Sequence, residues 1–226
     1  AFNILLGAPA TTINTLTQSA SGGTGAATID PDAVNTTLAV GSILVASNAG
    51  ALTIGATAGD GNLMAATAGG TLILNSQSVT NALTVNSVIA NNTSASGLNK
   101  AGPGTAVLAG TNTYTGATTV TQGTLKVTNT AGMGGSGNAL TLTGGTLQLA
   151  TDTAVSSKNL TMSGNGTIVL DRATAGAGFS TSFGTLTFTD TYTLTVNKGA
   201  NVTSGTATLN ITGFPALGAA GKTAGF

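Results

Sequence analysis

Short apolar triplets with a polar or β-branched centre recur along the chain. Leu52-Thr53-Ile54, Leu72-Ile73-Leu74, Leu83-Thr84-Val85, Leu125-Lys126-Val127, Leu140-Thr141-Leu142 and Leu147-Gln148-Leu149 share this form. Leu160-Thr161-Met162, Ile168-Val169-Leu170, Leu186-Thr187-Phe188, Leu194-Thr195-Val196 and Leu209-Asn210-Ile211 continue it. Apolar residues at i and i+2 share one face of a strand, and the middle residue points the other way. Each triplet is too short to stand alone and must stack on others. Leu140 and Leu147 lie 7 residues apart, while Leu140 and Leu160 lie 20 apart, as do Leu52 and Leu72; Leu160 and Leu186 are separated by 26. A repeat of this length holding several short strands predicts a solenoid, here a right-handed parallel β-helix of roughly 20–25 residues per coil, with strands about 7 apart on adjacent sides of one coil. Gly-containing segments become corners. An antiparallel β-sandwich is the alternative; only Thr185 to Val196, with a turn at Asp190, shows its longer alternation. Residues 1–6 read as a first strand, and the segment is expected to run over residues 1–226 as one solenoid.

Composition narrows the field. Charged residues are 5% of the chain and the net charge is zero, against roughly 25% charged in an ordinary domain. Mean hydropathy is +0.34, which argues against intrinsic disorder. Thirty-four Gly and abundant Thr oppose helices. Without clustered Lys and Arg there is no nucleic-acid footprint. No run of 18 apolar residues occurs, so no membrane-spanning helix is expected. A signal peptide is not read in this stretch.

One stretch is more specific. Residues 97–127 read GLNKAGPGTAVLAGTNTYTGATTVTQGTLKV. Leu98, Lys100, Gly102, Gly104, Val107-Leu108, Gly110, Asn112-Thr113-Tyr114, Gly116, Thr118-Thr119-Val120 and Gly123-Thr124-Leu125 stand in the order and spacing of the autotransporter-associated β-strand repeat, and the stretch resembles that family of bacterial surface proteins. Pro103 and Ala106 depart mildly from its pattern. The resemblance implies a secreted or cell-surface location and a structural or adhesive role. From the residues themselves, the five glycines mark close corners, and Val107, Val120 and Leu125 are expected to stack inward. Tyr114 is expected to cover a corner with its hydroxyl on a backbone carbonyl. Asn112 is expected in an Asn ladder or bonded to its own turn.

Candidate chemistry is thin. His, Cys, Glu and Trp are absent, so acid–base work falls to six scattered Asp. Asp171-Arg172 reads as a solvated pair after a strand. Asp30 with Asp32, and Asp60 with Asn62, have oxygens for Ca²⁺ but no EF-hand spacing, and read as turns. No cofactor, metal site or enzymatic activity is expected. Thr-x-Thr pairs raise an ice-binding surface, which needs one pair per coil in register. The gaps from Thr113 are 6, then 22 to Thr141, then 44 to Thr185, and this irregularity predicts plain strand threonines. Six Phe and two Tyr offer little aromatic surface for glycans.

The expected function is an extracellular β-solenoid fibre or surface element that self-associates end to end or laterally into filaments. An adhesin passenger segment binding glycan or a host surface is the alternative, followed by a polysaccharide-active β-helix enzyme. The ten-residue strands of an outer-membrane barrel do not occur here, so the stretch is expected to belong to a larger protein or to be anchored differently.

Overall fold

A computed structural model describes residues 2–6, 10–19, 25–31, 36–136 and 138–214. Its described residues form strands and turns, with no helix. A first face is a nine-stranded sheet built from Phe2–Leu5, Ala27–Asp30, Leu52–Ile54, Leu83–Val85, Thr105–Leu108, Thr124–Val127, Thr146–Ala150, Gly166–Asp171 and Leu194–Lys198. A second face has eleven strands. Its main stack runs through Ala10–Gln18, Thr37–Val45, Thr71–Ser76, Gly97–Ala101, Thr118–Val120, Ala139–Leu142, Asn159–Met162, Ser180–Phe188 and Thr208–Gly213.

The two faces alternate along the chain, so each coil contributes one strand to each. Every ladder pairing among the described strands is parallel; the one antiparallel contact is an isolated bridge, Asn92 to Ser94. The architecture is the parallel β-solenoid, and the sandwich alternative is overturned. Parallel neighbours need a crossover of a dozen or more residues, and the rest of each coil supplies it.

A third side closes the coil. Asn62–Ala65 pairs with the first half of Thr37–Val45, while Thr71–Ser76 pairs with the second half. Val88–Ile89 stacks on Asn62–Ala65. The Thr113 N–H then bonds the Ile89 carbonyl at 2.8 Å, and the Gly135 N–H bonds the Tyr114 carbonyl at 3.0 Å. Gly176–Ala177 and Val202–Ser204 continue this side at the far end.

Register explains the triplets. On the first face Leu52, Leu83, Ala106, Leu125, Leu147 and Ile168 lie in one inward column. Ile29, Ile54, Val85, Leu108, Val127, Leu149 and Leu170 form a second. These residues are buried, and the residues between them are partly exposed. Burying each such side chain contributes on the order of 1.5–3 kcal/mol before entropy. Val107 differs from the expectation. It points outward, between inward Ala106 and Leu108, because strand alternation admits only one parity in Thr105–Leu108. The same parity makes the Ala106 departure a core substitution.

Coil length is less regular than expected. The step is 19 residues from Ala106 to Leu125 and 22 from Leu125 to Leu147, but 31 from Leu52 to Leu83. The extra residues of the long coil fall between strands, where they leave the ladder register untouched. Thr185 to Val196 is a passage from the second face to the first: the Thr189–Thr193 bend separates Phe188 from Leu194.

Leu125→Ala opens a cavity in a fully buried column and is expected to cost about 2–5 kcal/mol. Lys126→Ala, on the outward row beside it, should stay within about 0.5 kcal/mol of the parent. Denaturant unfolding followed by circular dichroism checks both.

Candidate functional site

The motif stretch spans about one and a half coils. Gly97–Ala101 lies on the second face, Thr105–Leu108 on the first, residues 109–117 on the third side, and Thr118–Val120 on the second face one coil later. Lys100 occupies the inward column between Leu74 below and Val120 above, and it is fully buried. Its stem packs with that apolar column while its Nζ reaches the tight corner, as long cationic chains do. There Nζ donates to the Gly102 carbonyl at 2.6 Å, the Ala101 carbonyl at 2.7 Å and the Gln122 carbonyl at 3.1 Å. One ammonium therefore ties the corner of its own coil to the corner above. Among the described residues no carboxylate pairs with it, and desolvation lowers its pKa from 10.5 to about 8.

Gly102 and Gly123 adopt left-handed backbone, φ 74° and 66°, which only Gly enters freely. The other three motif glycines are close approaches, not special conformations. A Cβ on Gly104 would lie 1.9 Å from the Ser78 carbonyl, and Cβ atoms on Gly110 and Gly116 would meet the backbone of Ser87 and Ser96 at 2.5 Å. Each stacks directly on the coil beneath.

Thr118 enters the inward column between Leu98 and Leu140. A hydroxyl in that apolar place needs a partner, and Tyr114 supplies it: the two oxygens lie 2.7 Å apart. The Tyr114 hydroxyl thus bonds a side chain, not the backbone carbonyl the sequence reading expected. The ring is fully buried, and burial pushes the phenol pKa upward. Asn112 also departs from the expectation, forming neither a ladder nor a bond to its own turn. Its Oδ1 accepts from the Ile89 N–H at 2.7 Å and its Nδ2 donates to the Gly132 carbonyl at 2.6 Å. The carboxamide stitches the coil below to the coil above, substituting for ladder bonds on a side with little regular strand.

A second cation repeats the arrangement. Lys158 is buried, and its Nζ donates to the carbonyls of Gly134 and Gly135 and to Asn138 Oδ1. Desolvation lowers its pKa to about 8 as well. Sequence reasoning missed it, although Lys158, Leu160 and Met162 share one parity.

The acidic residues have structural partners. Asp171 is not the solvated half of a pair with Arg172. It is buried, and it accepts from Gln148 Nε2 at 2.8 Å, from the Asn201 N–H at 2.9 Å and from the Arg172 N–H at 2.9 Å. It is the last residue of its strand, opposite Ala150, and it is covered by Gly199 and Asn201 of the next coil. The Arg172 guanidinium instead bridges Asp152 at 3.2 Å. Hydrogen bonds from the Thr174 N–H and hydroxyl, then Arg172, hold the Asp152 carboxyl below its usual range. Asp60 accepts from the Thr57 N–H at 2.6 Å in its own turn. Asp32 lies outside the described residues, so its pairing with Asp30 is not placed. No group of three or more metal-ligating side chains occurs among the described residues, and no described helix is long and apolar enough to cross a membrane.

The Lys100 corner, the glycine stack and the Tyr114–Thr118 pair all fall within residues 98–127, and this stretch matches the family model of the passenger-associated-transport-repeat. The chain carries an autotransporter passenger repeat. Over an alignment of 137 positions that covers 56% of the chain, it is 37% identical to the adhesin BmaC autotransporter of Brucella suis biovar 1 (strain 1330). The matched stretch is 4% of that relative's length. No solved structure matches the chain. Passenger regions are secreted and exposed at the cell surface, which is where the repeat places this chain.

The two buried lysines of this passenger segment make a signed prediction. The unfolded chain keeps their protons up to about pH 10.5, whereas the folded chain releases them near pH 8. In that window the unfolded state binds more protons, so stability rises with pH. Above pH 10 the raised Tyr114 pKa opposes the gain. Denaturant midpoints should climb from pH 8 toward 10, and Lys100→Met with Lys158→Met should flatten the slope.

Proposed function

We propose that the chain is one continuous stretch of an adhesin-type passenger, a rod that carries adhesive surface away from the cell and does no chemistry of its own. The observation that carries this reading is the unbroken inward register through the Lys100 coil. A side chain that spends its charge on three corner carbonyls serves stacking, not a substrate. The matched adhesin supports the same class of role. The carboxylates support a non-enzymatic reading too: Asp152 and Asp171 are engaged in hydrogen bonds from neighbouring coils.

Filament formation, end to end or lateral, is the second reading. Ile4, Leu5, Val196 and Phe214 are 45–61% exposed, and exposed apolar side chains on strands favour pairing with another chain. A glycan or host-surface partner belongs to the first reading.

Negative-stain electron microscopy of the purified chain over a concentration series separates the two. Isolated short rods at every concentration are the expected result. Filaments of constant width would replace the spacer reading with self-assembly.

A further inference from the structure

The second face carries a threonine array that sequence spacing conceals. Thr119, Thr141, Thr161 and Thr187 are direct ladder partners over four successive coils. Two residues on, the Thr121, Thr143, Ser163 and Thr189 amides bond the carbonyls of Lys100, Val120, Leu142 and Met162 in the coil beneath. A Thr-x-Thr unit, with Ser163 in place of the second Thr in one coil, therefore recurs once per coil, in register, despite steps of 22, 20 and 26 residues. The expectation of irregular threonines is corrected: the variable residues lie outside the strand, so linear gaps do not measure register.

We infer that this array is an ice-binding surface. Its pitch along the solenoid is the parallel-strand spacing, ~4.8 Å, and alternate residues along a strand stand ~6.6 Å apart. The first value is close to a principal repeat of oxygen positions in ice. Threonine's branched Cβ restricts its rotamers, and the backbone ladder beneath fixes each Cβ, so the hydroxyls form a rigid lattice. The two columns differ in their bonding. Thr121, Thr143 and Thr189 donate to the carbonyls of Lys100, Val120 and Met162 at 2.6, 3.4 and 3.2 Å, and the Thr121 hydroxyl also lies 3.0 Å from Asn99 Oδ1. Among the described residues the hydroxyls of Thr119, Thr141, Thr161 and Thr187 have no hydrogen-bond partner, so they can donate or accept. Donors and acceptors on a regular grid suit a lattice whose every oxygen does both. The eight positions hold no charge and no aromatic ring, so the surface lacks the stacking platform a sugar would use, and it orders water through methyl and hydroxyl alike. This inference requires only the solenoid register and stands apart from the adhesin reading.

The test uses the whole 226-residue chain, with folding verified by its β-type circular dichroism. Freezing hysteresis and the shape of a single ice crystal are recorded for the parent, for a Thr141→Tyr/Thr161→Tyr double variant, and for Thr53→Tyr on the first face. The parent and Thr53→Tyr should facet the crystal and hold its growth, and the double variant should lose both effects at unchanged melting temperature. A folded parent that behaves as buffer overturns the inference. So does retention of full activity by the double variant, or a folded parent that sediments with cellulose or chitin while leaving ice growth unaffected.

Discussion

The fold rests on one constraint: each coil must set its inward side chains directly over those of the coil before. A parallel ladder repeats every residue in register, so a parity error would turn an entire strand's apolar set to solvent. The columns Leu52 to Ile168 and Ile29 to Leu170 show the constraint met through coils of very different length. The lysine corners follow from it. Stacked corners crowd carbonyls together where no strand can pair them, and an ammonium arriving from an inward position satisfies three at once.

Buried polar groups here work as joints between coils. Asn112 bonds both neighbours, Thr118 is made tolerable by Tyr114, and Asp171 receives donors from Gln148 and Asn201. Each sits where ladder bonding is thin or where a hydroxyl interrupts a leucine column. The chain has few charges, and five of them, Lys100, Lys158, Asp171, Asp152 and Arg172, are spent on such joints.

Much of this was legible in the residues. The two-residue alternation located the core strands, and the spacing of 7 and 20 separated adjacent sides from successive coils. The passenger motif could be read from Lys100, its glycines and Tyr114. The partners in neighbouring coils could not, because they lie 20 or more residues away: Gly132 for Asn112, Gln122 for Lys100. Val107 shows the other limit. Its apolarity suggested burial, but parity decides, and Ala106 and Leu108 already held the inward places. Parity applied to Lys158 would have found it. The threonine rows failed because distance along the chain was used where register was needed.

The unequal coils have a geometric consequence. A coil of 19 residues and one of 31 advance the solenoid by the same single strand spacing, about 4.8 Å. Residues inserted on the third side or at a wide corner thicken the rod without lengthening it. Length along the solenoid axis is therefore counted in turns, and loops can be added to its flank without changing that length.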